Sequence, residues 1–262
     1  MTTTRPFLMR YTPIRLRHTL FYRLYARRAT SRPELFADAQ LAYEARVRLR
    51  LVPSDVAHQP MAWAGFYEPQ VTRRLVAAAR QGGLLIDVGA NYGYYTCLWA
   101  AARADNRVMA FEASPRNWDG LHHNVTKNDL GLQVCEERVA VGRQRGSTPF
   151  IAGPEDQTGW GRMTTGVADV MVDVVDLDSY CIEHGIVEIA VLKIDVEGAD
   201  AWVVEGSARL LQQHKIGIVF FEEEPARMEE LRIAPGTTAM HLRRAGYRVR
   251  RIAPGEFMAT CA

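Results

Sequence analysis

The sequence predicts an α/β fold, a doubly wound and mostly parallel sheet with helices on both faces. Three observations carry this. From about Ala77 onward, short apolar runs of strand length alternate with segments of helical pattern. The first run ends at Gly89 and Gly93, which turn the chain into a helix. The last two extended segments are joined only by Pro254-Gly255, too short for a helical crossover, so the sheet should end antiparallel.

The elements follow in order. LLIDVGA (84–90) is a buried run, TCLWAAAR (96–103) a helix and RVMAFEA (107–113) a second run. Ser114-Pro115 opens a helix that ends near Asn128, and LQVCEERVAVG (132–142) and STPFIAG (147–153) read as extended. A glycine-rich loop (153–166) leads to VADVMVDVVDL (167–177) and IAVLKIDV (189–196). A helix from about Ala199 to His214, the run IGIVFFEE (216–223), a helix near Thr238 to Ala245 and two final strands complete the chain.

Composition narrows the function classes. The 262 residues are 48% hydrophobic and 24% charged, with net charge +2, enough apolar material for a full core and too much for disorder. The near-neutral balance argues against a dedicated nucleic-acid binder. Cys97, Cys135, Cys181 and Cys261 form no C-x-x-C pair, which fits neither a disulfide framework nor a zinc site and suits a reducing cytoplasm. No signal-peptide core is visible, and the longest uncharged stretch, Val88 to Ala102, falls short of a membrane span.

The charge is unevenly placed. Residues 1–50 hold eleven arginines, no lysine and three acids, a balance of +8 that leaves −6 on the rest. Pro13 to Arg28 reads as a helix with Leu16, Leu20, Phe21 and Leu24 on one face, flanked by Arg15, Arg23 and Arg27. A solvated helix docked on the main domain is the plain expectation, with peripheral membrane contact through residues 1–30 or a lid over an anionic substrate as alternatives.

IDVGANYGYYT (86–96) is the sharpest local signal. Glycines after a buried strand let a nucleotide-like ligand approach the backbone. A dinucleotide fingerprint would need glycines at 91 and 94, where the chain has Asn91 and Tyr94. Glu112 ends the next run, 25 residues after Asp87, where an acid can accept both ribose hydroxyls. That combination describes S-adenosylmethionine better than NAD. Further on, VLKIDVEGAD (191–200) puts Asp195 at the C-terminal edge of a central strand, beside the crevice.

These segments, DVGANYGYYT, AFEASPRN with Leu121, Asn124 and Asn128 behind it, VVDLDSY, LKIDVEGAD and a strand ending in Glu222, resemble the FkbM-type family of S-adenosylmethionine-dependent methyltransferases. GFYEP (65–69) adds to the resemblance. It covers roughly residues 45–262 and leaves 1–44 as a basic, helical N-terminal appendage. The family implies a Rossmann-like, class I methyltransferase sheet of seven strands with an antiparallel last strand. It also implies O-methyl transfer to a hydroxyl of a sugar, glycan or natural product.

Carried over, Asp87, Gly89, Asn91 and Gly93 hold the methionine end of the cofactor and Glu112 the ribose, while Tyr94 is counted among the residues lining the cofactor pocket. Ala113 stands where the family usually has Pro. No acid follows the third strand to meet the adenine amine, which leaves the backbone around Ala140 to serve.

Methyl transfer to a weakly nucleophilic hydroxyl needs positioning and a base within reach. Asp195 and Glu222 are the candidate catalytic carboxylates, with Asp195 also counted toward the cofactor; His58, His122 and His123 are the other candidates. Together Asp195 and Glu222 could hold one Mg²⁺, but two acids are a thin basis and no metal ligand set is assigned. Metal-assisted methyl transfer to a small molecule and a non-catalytic cofactor-binding relative stay as alternatives. Trp160, in the GWG loop, is favoured as an acceptor contact.

Overall fold

The computed structural model describes residues 5–261; residues 1–4 of the expected appendage and residue 262 of the expected last strand lie outside the described residues. The chain opens with α1 (Phe7–Tyr11), α2 (Ile14–Leu20), a π-helical turn (Phe21–Tyr25), a 3₁₀ stretch (Ala26–Ser31) and α3 (Glu34–Ala37). A short antiparallel pair, β1 (Ala39–Gln40) and β2 (Arg48–Leu49), precedes α4 (His58–Ala64) and α5 (Pro69–Ala79). Then come β3 (Leu84–Val88), α6 (Tyr94–Ala102), β4 (Arg107–Phe111), α7 (Trp118–Lys127) and β5 (Val134–Glu137). A second sheet follows: β6 (Ala140–Val141), β7 (Gly146–Ile151), β8 (Arg162–Met163) and β9 (Val170–Val175). The chain closes with α8 (Leu177–Glu183), β10 (Ile189–Ile194), α9 (Asp200–Glu205), α10 (Ala208–Gln212), β11 (Ile216–Glu222), α11 (Pro225–Glu230), α12 (Thr237–Arg244), β12 (Tyr247–Arg251) and β13 (Glu256–Cys261).

The seven-stranded sheet has the order β12-β13-β11-β10-β3-β4-β5. Neighbours from β11 to β5 are parallel, and β13 inserts antiparallel beside β11. Four of the five residues of β3 are buried, as a strand covered on both faces requires. Alternate residues feed opposite cores. Leu85, Val108 and Ala110 pack with Trp99 of α6, whereas Ile86, Val88 and Phe111 pack with Leu192, Ile194 and Val219.

Three features depart from the sequence expectation. The segment from Pro13 to Arg28 is not one regular helix. The π-helical turn adds a residue to the turn and swings the face, so Phe21 is buried while Leu16 and Leu24 point to solvent. The helix expected over 199–214 breaks at Gly206, where a Cβ would overlap the carbonyl oxygen of Gly142. The strand expected over 132–142 splits at Arg138, its second part joining the small sheet.

Residues on the two sides of position 44 pack together. Met9, Phe21, Leu35 and Phe36 share one apolar cluster with Leu85 and Trp99, and Trp63 donates its indole N–H to the Ala29 carbonyl (2.9 Å). Each such fully buried side chain contributes about 1.5–3 kcal/mol. The β1–β2 pairing crosses the boundary, and Asp38 holds both Arg48 (2.6 Å) and Lys127 (2.8 Å). Asn124 and Asn128 act as a surrogate strand edge: each side-chain amide exchanges hydrogen bonds with the backbone of Arg50 and Arg48 respectively.

Candidate active site

At the C-terminal end of β3 the chain turns on Gly89, with φ +82°, where a Cβ would overlap the Asp195 carbonyl oxygen. Only glycine allows this close passage of two backbones. The amides of Gly89 and Ala90 both donate to the Phe111 carbonyl (2.9 Å each), tying the turn to β4. Asn91 takes a left-handed conformation, and Gly93, with φ +79°, starts α6 against Leu121.

The turn lines a cavity of about 360 Å³. Gly89, Asn91 and Tyr94 lie on its wall, but Asp87 and Gly93 do not. Asp87 is buried one layer below and accepts from the Thr96 hydroxyl (2.6 Å); burial raises its carboxyl. Tyr94 turns its hydroxyl back to Thr72 (3.1 Å) and the Tyr67 amide (3.2 Å). Both therefore secure α6 from beneath.

Glu112, Ala113 and Ala140 also line the cavity. The Glu112 carboxylate accepts from the amides of Asn91 (2.7 Å) and Ser114 (2.8 Å) and from the Asn117 side chain (3.2 Å). Burial outweighs these bonds and pushes its carboxyl up to about 7.

A loop from the small sheet closes over this end. Asp55 accepts from both the amide (2.6 Å) and the hydroxyl (2.7 Å) of Thr158, and Asn117 donates to the Thr158 carbonyl (2.9 Å). His58 also lines the cavity; it accepts from the Val52 amide at Nδ1 (3.1 Å), its Nε2 lies 3.4 Å from the Thr158 hydroxyl, and burial lowers its imidazole. His122 is exposed, ion-pairs with Glu136 (3.2 Å) and, like His123, is not on the cavity wall. Trp160 is on the wall and half open to solvent.

Carboxylates gather at the ends of β10 and β11. The Asp195 amide donates to Val88 (3.0 Å), which sets Asp195 beside the glycine turn, and Glu222 ends the neighbouring strand; both line the cavity. Glu68, at the head of α5, completes the group: carboxylate oxygens of Glu68, Asp195 and Glu222 lie within 4.8 Å of one another.

Lys193 is buried beneath with its Nζ 3.0 Å from Asp195 Oδ2 and over the Tyr95 ring. Burial alone would lower this ammonium, but Asp195, Glu68 and Asp87 outweigh it and raise it. The Tyr95 hydroxyl donates to Glu68 (2.7 Å). Burial, with the charges of Asp195 and Glu68, pushes Glu222 up to about 8; burial, against Lys193, brings Glu68 to about 7. Asp200 accepts from the Glu222 amide (3.0 Å) and fixes the strand end.

The structure thus brings Gly89, Asn91, Tyr94, Glu112, Ala113, Ala140, Asp195 and Glu222 to one cavity. Sequence reasoning missed Glu68, Lys193, Asp55 and Thr158. Glu68 and Lys193 sit inside quoted motifs, GFYEP and LKIDVEG, but no local signal joins Asp55 to Thr158, 103 residues apart.

A strand-end glycine turn and a buried acid on a seven-stranded sheet with an antiparallel insertion define the class I methyltransferase fold. The profile described as Methyltransferase FkbM domain matches residues 87–249, and the chain belongs to that family. Hexuronic acid methyltransferase AglP of Haloferax volcanii is 27% identical over 152 residues, covering 58% of this chain and 61% of that protein. The alignment spans less than two thirds of that relative's length. The methyltransferase FkbM structure from Methylobacillus flagellatus is 15% identical with a TM-score of 0.45, covering 93% of this chain and 60% of that one. The O-methyltransferase TomG of Streptomyces achromogenes, solved with SAM, is 11% identical with a TM-score of 0.45, covering 91% and 100%.

Proposed function

We propose that the protein transfers a methyl group from S-adenosylmethionine to a hydroxyl oxygen of a glycan, sugar or natural product. One observation carries the reading: a single cavity joins the glycine turn and Glu112 with the carboxylates of Asp195 and Glu222. The residues fit the cofactor. Gly89 puts the turn on the cavity wall beside Asp195, Glu112 offers carboxylate oxygens suited to vicinal hydroxyls, and Ala113 and Ala140 keep the wall low.

When bound, the cofactor supplies an electrophilic methyl group on a sulfonium. The chain's own part is to orient the acceptor and take its proton. Burial and the Asp195 charge raise Glu222 to about 8, so the ionised form that accepts the proton grows as pH rises toward 8. Lys193 holds Asp195 by its Oδ2 and fixes the pair's geometry.

Arg162 is the one arginine or lysine among the described lining residues, and it shares its charge with Glu230 (3.0 Å). A cation on the wall suits an acceptor that carries a carboxylate, and the named substrate class of the Haloferax relative, a hexuronic acid, supports this. Incubation with methyl-labelled cofactor and uronic-acid, neutral-sugar and aromatic acceptor pools tests the reading. Methyl ethers on the uronic-acid pool are expected. Transfer to nitrogen, or no transfer by a protein that binds S-adenosylhomocysteine, overturns it. A second reading, with a divalent cation on Glu68, Asp195 and Glu222, is favoured by the third carboxylate. Loss of turnover in EDTA, restored by Mg²⁺, would establish it.

A further inference from the structure

The N-terminal segment exposes what the rest of the molecule hides. Among the described residues, six of the fourteen exposed large apolar side chains fall between residues 7 and 24: Phe7, Leu8, Tyr11, Leu16, Tyr22 and Leu24. Phe7 is 74% and Tyr11 63% accessible. Interleaved with them are arginines 10, 15, 17, 23, 27 and 28, with no acid between residues 7 and 28. Among the described residues none of these six pairs with a carboxylate, although Arg32, Arg46, Arg48 and Arg103 all do.

Aromatic and basic side chains pack along the segment. Phe7 packs on Tyr11 (ring centroids 4.6 Å), Arg10 lies over Tyr11 (5.4 Å), Arg17 reaches back to the carbonyls of Thr12 (2.9 Å) and Arg10 (3.2 Å), and His18 packs on Tyr22 (4.8 Å). Buried Met9 and Phe21 anchor it to the body, so the exposed face is held rather than dangling.

We infer that this face docks on an anionic lipid bilayer. Unpaired arginines attract lipid phosphates, and the interleaved aliphatic and aromatic side chains insert at the headgroup boundary. A nucleic-acid surface would share the charge but leave Leu8, Leu16 and Leu24 in water. Scattered single apolar residues need no explanation, but six on one short segment do. Tyr22 belongs both to this face and to the cavity wall, with exposed Val56 beside it on that wall. Docking therefore brings the mouth of the cavity to the lipid plane. The inference stands apart from the methyl-transfer reading, since it concerns binding alone.

Co-sedimentation of the full chain with vesicles tests it. Binding is expected to phosphatidylglycerol–phosphatidylcholine vesicles, to weaken with added salt, and to be weak on phosphatidylcholine alone. The triple variant Arg15→Glu, Arg23→Glu, Arg27→Glu should lower partitioning by about 100-fold or more at an unchanged melting temperature. Leu16→Ser with Leu24→Ser should weaken it without changing the salt dependence. No binding to the anionic vesicles, equal binding to neutral ones, or wild-type binding by the triple variant overturns the proposal. A lipid-free dimer that the double variant dissolves would assign the face to a second copy and also overturn it.

Discussion

The two halves of the cavity are built by different physics. The glycine-turn half comes from one stretch of chain, residues 87 to 117, and its precision lies in backbone geometry: left-handed glycines, paired amides and the excluded Cβ at Gly89. The carboxylate half is assembled from Glu68, Lys193, Asp195 and Glu222, three separate stretches, and is held by charge and burial. Shape tolerates changes of pH and fails under a single methyl group. Charge tolerates small changes of volume and fails when one ionisable group is replaced.

That contrast can be broken at either end. The largest effect is expected from Glu222→Gln or Asp195→Asn, which remove charge at nearly constant shape. Steady-state kinetics should show turnover down by ~10²–10⁴, with S-adenosylhomocysteine affinity by calorimetry within a few-fold of wild type. A lowered melting temperature with normal turnover would make these carboxylates structural instead.

Gly89→Ala attacks the shape half. Positive-φ strain and overlap with the Asp195 carbonyl should together remove about 2–5 kcal/mol of stability, read by urea denaturation. Glu112→Ala should weaken cofactor binding by about 1.5–3 kcal/mol and leave turnover at saturating cofactor largely intact. Unchanged calorimetric affinity would remove Glu112 from the ribose site.

Thr158→Val strips one partner from buried Asp55 and loosens the loop over the cavity, a loss of about 1–3 kcal/mol visible in the melting temperature. The pH dependence of stability probes the charge half as a whole. Glu68, Glu112 and Asp200 near 7 and Glu222 near 8 all hold protons more tightly folded than unfolded. Between about pH 5 and 8 the folded state thus binds more protons, and stability falls as pH rises through that window. A melting curve series should show the decline, and Glu222→Gln should flatten its upper part.

Legibility in the sequence followed the same divide. The parallel strands, the antiparallel ending and the glycine turn were readable because apolar period and glycine placement are local signals. Asp195 and Glu222 were readable as strand ends. The small sheet was not, because β6 and β8 have two residues each and show no periodicity. Asp87 was read as a cofactor residue, yet its side chain turns to Thr96 below the cavity, since a motif fixes a position along the chain and not which way a side chain turns; Gly93 serves the start of α6. The exposure of Leu16 and Leu24 was hidden by a π-helical turn that no composition announces.

The strand order has a consequence for synthesis. Asp195 meets Gly89 only because β10 pairs with β3, although about a hundred residues of chain separate them. Closing so long a loop is slow compared with forming the local β3–α6–β4 unit. A nascent chain that has not yet emerged past residue 195 therefore carries the glycine turn and Glu112 but only one wall of the crevice. Ligand capture requires β10 in place, so an arrested chain shorter than this should be captured poorly by immobilised S-adenosylhomocysteine even when its first strands are in place.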